Sequence, residues 1–196
     1  MEYRVYKLSF SAACHFGASA AGAGLEATEI TCQADTLFSA IANECIALYG
    51  EEGLAKLVSR VEQGSLLFSD VFPFSANALF LPKPLWIVKR KADSEALAEV
   101  RERMAGAKKL KKTRYIPVYD FEAYIDALRT GSVYTPQESL QDVCRKELVQ
   151  RVNCREEENL PYFVEQVVFK ADCGLYFIAA YKEAADISVV EDVLQS

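Results

Sequence analysis

The chain is short of the residues that most catalytic and metal-binding sites are made from. Its 196 residues include one histidine (His15), one tryptophan and two methionines, and the six cysteines at 14, 32, 45, 144, 154 and 173 form no C-x-x-C pair. Without paired Cys/His ligands a structural zinc site is not expected, and the cysteines read as reduced thiols, Cys45 on an apolar helix stripe being the plainest case. No glycine-rich phosphate loop of the Walker type and no paired metal carboxylates occur, so neither cofactor nor metal is expected. A lone histidine with no identifiable nucleophile or orienting carboxylate points to no reaction, which leaves an enzyme open without naming its chemistry. Apolar runs are broken by charge or glycine well short of a membrane span, and no N-terminal basic stretch leads into an apolar one. These absences predict a soluble, cytoplasmic protein with no membrane partner.

What remains is globular in composition: 51% of residues are hydrophobic and 26% charged, values that exclude general disorder. The net charge of −6 argues against nucleic acid when taken alone. Its distribution argues otherwise. Residues 89–114 hold ten of the 22 Lys/Arg and four of the 28 Asp/Glu, so this segment carries +6 and the remainder −12. A basic segment on an acidic body suits one anionic partner and leaves a second surface for a basic protein.

The centre of the sequence pattern is a helix from Asp35 to Tyr49. Leu37, Phe38, Ile41, Cys45 and Leu48 recur at three- and four-residue spacing and form an apolar stripe. Asp35 can accept a first-turn N–H, and Gly50 can end the helix in the left-handed conformation. Before it, Tyr3 to Phe10 alternates as a half-buried strand, and Ser11 to Ala27 is an Ala/Gly-rich loop opening with His15-Phe16-Gly17. After it come a weaker helix over 51–62, a strand through Ser65 to Phe74, a turn at Ser75 to Asn77, and a proline-stiffened extended segment from Ala78 to Leu85. A polar helix over 94–104, a basic arm entering a strand at Tyr115 to Val118, and a helix over 121–128 follow. Glu138 to Glu147 reads as partly helical. Tyr162 to Phe169 and Leu175 to Tyr181 then form a hairpin around Lys170 to Gly174, ahead of a helix over 186–194.

This alternation predicts an α+β fold of the ferredoxin-like (RRM-like) type, an antiparallel sheet with helices on one face. The expected division is a first ferredoxin-like domain over 1–160, with a basic insertion around 86–115. Residues 161–196 are expected to begin a second such unit that is cut short, since a hairpin and one helix make a poor domain.

The charged candidates each have two readings. His15 serves as a structural histidine at a strand end, or as a loop donor or stacking platform for RNA. The arm Lys108, Lys109, Lys111, Lys112 and Arg114 is a solvated charge run, or a phosphate-binding strip beside the stacking ring of Tyr115. Lys83 stands on a stiff Pro82-Lys83-Pro84 edge. Arg151 and Arg155 bind phosphate bidentately, or pair with Glu156 to Glu158. Asp35-Thr36 reads first as a helix cap.

Five stretches in order carry a family resemblance: Cys14-His15-Phe16-Gly17; Asp35-Thr36-Leu37-Phe38-Ser39-Ala40; Ser69-Asp70-Val71-Phe72-Pro73-Phe74; Leu81-Pro82-Lys83-Pro84-Leu85; and Lys108 to Lys112 running into Tyr115-Ile116-Pro117. Together they resemble the fourth subunit of the type III-A CRISPR (Csm) effector complex, a member of the RAMP superfamily, from residue 1 to at least Tyr181. The resemblance implies a non-catalytic, RNA-binding subunit with two ferredoxin-like units. Such a subunit grips the 5′ repeat-derived tag of the CRISPR RNA and docks on the large polymerase/cyclase-type subunit and the backbone RAMP subunit in antiviral defence. It assigns RNA contact to His15, Lys83, the Lys108 to Lys112 arm, Arg151 and Arg155. The pattern departs in three places. Ala34 stands where serine is usual, Cys154 to Glu158 is more acidic, and the glycine-rich loop of the C-terminal unit is absent. The alternative function is a metal-independent repeat-RNA endonuclease using His15, and a third is a structural adaptor without RNA.

Overall fold

The computed structural model describes residues 1–17, 24–76, 78–84, 113–130, 132, 134–135, 140, 143–154 and 159–196. The sheet is built from β1 (Glu2–Leu8), β4 (Leu66–Phe68), β5 (Phe72–Ser75), β6 (Ala78–Pro82), β7 (Tyr115–Pro117) and β10 (Cys173–Tyr181). Its order is β1-β10-β5-β6-β7, with β4 continuing the β5 edge of β10. All pairings are antiparallel. β4 and β5 form an interrupted strand along β10. Between them Ser69 keeps the ladder closed, its N–H donating to the Ile178 carbonyl and its Oγ accepting the Ile178 N–H, both at 2.9 Å.

Helices α1 (Ala34–Glu62) and α3 (Ala184–Gln195) cover one face. The chain therefore runs β1, α1, then β4–β5 parallel to β1, with β10 inserted antiparallel between them. This is the split β-α-β arrangement of ferredoxin-like folds. Leu175, Phe177, Ala179 and Tyr181 of β10 point to the helices and meet Leu37, Ile41, Cys45 and Leu57 of α1 and Ile187, Val190 and Val193 of α3. The opposite face leaves Tyr3, Val5 and Leu67 exposed at its β1 end. At its β7 end Ile116 is buried with Tyr124 and Ala127 of α2 (Phe121–Thr130).

The helical stripe expected from the sequence holds in its first three turns: Leu37, Ile41 and Cys45 are buried and Phe38 packs at the margin, whereas Leu48 is exposed. Gly50 takes φ 66°, ψ −168° and breaks α1 into the two expected halves. The capping differs in detail. Asp35 accepts the Thr36 N–H at 2.6 Å, but the Ala34 N–H is taken by Asp70, 36 residues away, at 2.8 Å. No helix among the described residues is long and apolar enough to cross a membrane.

Three expectations are corrected. Residues 162–169 and 175–181 are not hairpin partners: β9 (Asn159–Phe169) pairs along its whole length with β8 (Cys144–Cys154), while β10 enters the main sheet. The turn between them is real, with Cys173 N–H donating to the Lys170 carbonyl at 3.1 Å and Asp172 at φ 57°, but it links two sheets. Residues 144–147 are strand, not helix, because their backbone is committed to β9. Residues 173–195 complete the first sheet and its helical layer instead of opening a unit of their own. β10 is buried at eight of its nine positions, as an inserted central strand must be. The predicted helix over 94–104 lies outside the described residues.

Candidate nucleic-acid interface

The loop after β1 is closed by a two-residue ladder, β2 (Phe16–Gly17) against β3 (Thr28–Glu29). Thr28, 2% exposed, makes this possible. Its hydroxyl accepts the Phe16 N–H at 2.9 Å and donates to the Phe16 carbonyl at 3.0 Å. The loop is then fixed to the β8–β9 hairpin, and most of the contacts converge on Glu165. Its backbone N–H donates to the Leu25 carbonyl at 2.9 Å, and its carbonyl lies 2.8 Å from Nδ1 of His15. A carbonyl only accepts, so Nδ1 of His15 carries the hydrogen. The Glu165 carboxylate accepts the Thr28 N–H at 2.8 Å and the Lys146 ammonium at 3.1 Å, and Lys146 also donates to the Thr28 carbonyl. These partners, the Thr28 N–H foremost and then Lys146, hold the Glu165 carboxyl below the usual carboxylate range. A backbone pair between Cys14 and Val167 extends the seam.

Beside this loop lies an open cleft of about 350 Å³. Phe16 and Gly17 form one wall, the entry to α1 (Gln33, Thr36) the floor, and Pro82 with Arg114 and Tyr115 the other wall. Two ties cross it. Arg114 Nη1 meets Glu29 Oε2 at 2.9 Å, and the hydroxyls of Tyr115 and Thr31 are 3.0 Å apart. The Lys83 N–H donates to the Arg114 carbonyl at 2.9 Å, so the Pro-Lys-Pro edge and the last residue of the basic arm are adjacent. Burial lowers the Lys83 ammonium from its ordinary value. At Cys32 in the cleft, burial first and the Asp70 carboxylate second push the thiol up.

Of the residues singled out by sequence, Arg114 lines the cleft, Lys83 flanks it, and His15 stands at its rim, turned onto β9 while its successors Phe16 and Gly17 face inward. Arg151 is elsewhere: it is exposed on β8 opposite Tyr162, three positions along β9 from Glu165 and so roughly 10 Å away. Lys108, Lys109, Lys111, Lys112 and Arg155 lie outside the described residues. Sequence reasoning passed over Glu29, Thr31, Lys146 and Glu165. Asp70 lies in the Ser69 to Phe74 stretch, and its contact with the Ala34 N–H is not visible from the sequence. Nothing local marks Glu165; its four partners come from segments 19 to 150 residues away.

No family model matches the chain. It is 33% identical over 149 residues to the CRISPR system Cms protein Csm4 of Thermococcus onnurineus (strain NA1), covering 74% of this chain and 49% of that protein. It is 25% identical over 184 residues to the protein of the same name from Mycobacterium tuberculosis (strain ATCC 25618 / H37Rv), covering 94% and 55%. The chain thus spans about half the length of the curated relatives it matches. Among solved structures it resembles a Csm1-Csm4 cassette in complex with cA4, at TM-score 0.66 and 25% identity over 98% of this chain and 64% of the other. A Csm3-Csm4 subcomplex of the type III-A CRISPR-Cas interference complex, at TM-score 0.59 and 18% identity over 98% and 62%, shares the fold.

Proposed function

Because this chain belongs to the Csm4 family, we propose that it acts as a non-catalytic, RNA-binding subunit of a type III-A CRISPR interference complex. In this reading it grips the 5′ repeat-derived tag of the CRISPR RNA and docks on the large polymerase/cyclase-type subunit, Csm1, and on the backbone subunit, Csm3. The observation that carries the RNA part is the single cleft between the His15-Phe16-Gly17 loop, the Pro82-Lys83 edge and Arg114. These groups are far apart in sequence, and convergence of an aromatic-walled cleft with the foot of a +6 segment suits a single strand, whose phosphates need cations and whose bases need stacking surfaces. The two kinds of partner in the assembly, RNA and protein, suit the basic segment and the acidic remainder of the sequence respectively.

The test is binding of labelled tag RNA to the complex reconstituted with wild type, with Lys83→Ala plus Arg114→Ala, and with Lys108, Lys109, Lys111 and Lys112 all changed to Ala. Each lost phosphate contact flattens the log–log salt dependence by about 0.7 for a single strand. Unchanged affinity and slope in both variants would refute the assignment. Endonuclease activity is the lesser reading. Metal-independent cleavage needs a base, an acid and charge stabilisation. The chain's only histidine has one ring nitrogen committed to a backbone carbonyl, and the nearby Lys146 ammonium is held by Glu165.

A further inference from the structure

The cleft contains a contact that opposes the function proposed for it. Arg114, its described cation, already faces a carboxylate: Glu29 at 2.9 Å, with side chains 62% and 36% exposed. Glu29 is not held there by the core. It sits on the two-residue strand β3, and its backbone pairs with Phe16. Asp70, the cleft's other carboxylate, is differently placed, since it caps α1 through the Ala34 N–H. Glu29 therefore has the position and the charge of a ligand anion, on the fork that the strand's phosphate would need.

We propose that Glu29 is a stand-in for an RNA phosphate, holding the Arg114 guanidinium across the cleft until a phosphate takes it over. The inference rests on the RNA-binding reading and deepens it. An exposed ion pair is weak and is screened by salt. A guanidinium forms a stronger, two-pronged pair with phosphate than with a singly contacting carboxylate. Exchange is therefore downhill once a strand is held nearby, but Glu29 becomes an unpaired negative charge beside it. The cleft consequently resists stray polyanions and yields only where the rest of the surface already positions a phosphate. The second tie, between Tyr115 and Thr31, keeps the two walls together while the ion pair exchanges.

The experiment uses the whole chain and a fluorescein-labelled, mixed-sequence 12-nucleotide single-stranded RNA, read by anisotropy from 50 to 300 mM salt. Glu29→Gln keeps the shape and removes the charge. It should tighten binding threefold to tenfold at low salt and steepen the salt dependence by up to ~0.7. Adding Arg114→Ala to it should cancel the gain. Glu52→Gln is the matched control, because Glu52 pairs with Lys56 at 2.7 Å on the exposed side of α1, remote from the cleft lining. Equal tightening by Glu52→Gln would show a mere net-charge effect and overturn the proposal. So would weaker or unchanged binding in Glu29→Gln while Arg114→Ala still weakens it, since Glu29 would then only orient the arginine. If Arg114→Ala and Lys83→Ala leave wild-type binding unaltered, or the chain fails to bind the RNA, the RNA-binding reading itself falls, and this inference with it.

Discussion

Replacing Glu165 with alanine tests whether one side chain fixes the loop that borders the cleft. The substitution removes the acceptor of the Thr28 N–H at 2.8 Å and of the Lys146 ammonium at 3.1 Å, and leaves both backbone contacts of residue 165, to His15 and Leu25, in place. A hydrogen bond to a charged group contributes about 1.5–3 kcal/mol when sequestered. Here the Glu165 side chain is 26% and that of Lys146 39% exposed, so the ion-pair share falls to roughly 0.5 kcal/mol. The total comes to about 2 kcal/mol, which for a chain of this size lowers Tm by roughly 4–8 °C. Glu165→Gln keeps an acceptor for the Thr28 N–H and should cost about half as much. Because the folded-state carboxyl is held below its ordinary value, its contribution is complete above the unfolded value of about 4.3 and is lost as pH falls through the lower folded one. The Tm gap between wild type and Glu165→Gln should thus be full at pH 7 and close only as pH falls below the ordinary carboxylate range. Thermal unfolding followed by circular dichroism gives the gap, and hydrogen exchange at the Thr28 amide locates it. A Glu165→Ala protein that melts within a degree of wild type, with Thr28 equally protected, would refute the latch.

Two further substitutions probe the sheet. Tyr176, 1% exposed, donates its hydroxyl to the Phe80 carbonyl at 2.8 Å, so Tyr176→Phe leaves that buried carbonyl without its partner and should cost about 1–3 kcal/mol by denaturant unfolding. Gly174 has no room for a side chain: a Cβ there would lie 2.3 Å from the Leu8 carbonyl of β1 and 2.9 Å from the Phe74 ring, so Gly174→Ala must push β1 away and should cost roughly 1–3 kcal/mol, with unchanged Tm as the refuting result.

The parts of the fold that were legible in the sequence are those in which the signal is local. The helix over 34–49 is written in the spacing of Leu37, Ile41 and Cys45, its break in Gly50, and α2 in the Phe121, Tyr124, Ile125 and Leu128 face. What misled was pairing. Two β-rich runs joined by a short turn satisfy every local rule for a hairpin, yet β9 pairs with β8 and β10 inserts between β1 and β5. The deciding signal is the apolar continuity of Cys173 to Tyr181, the mark of a strand covered on both faces, which no two-stranded hairpin can bury. The same holds at the cleft. His15 and Lys83 stand out by residue type, whereas Glu29 and Glu165 are ordinary glutamates in a chain with 28 acidic residues and acquire roles only through partners distant in sequence.

The charges around the cleft also bear on how the proposed RNA site would divide its labour. The described cleft holds Glu29 and Asp70 against Arg114, so taken alone it is no attractor of phosphate. Its lining also carries aromatic and hydroxyl groups, from Phe16, Phe72, Tyr115, Thr31 and Thr36, which suit a base. The attraction must then come from the +6 segment that ends at Arg114. On the proposed reading the arm supplies the salt-dependent affinity and the cleft the geometric selection. The loop that joins β1 to the cleft connects that selection to the core, since Phe10 stacks on Phe169 at 4.9 Å and meets Phe16 edge-on at 6.3 Å. On that reading a strand that seats in the cleft is read by residues whose positions are set by the packing of the sheet.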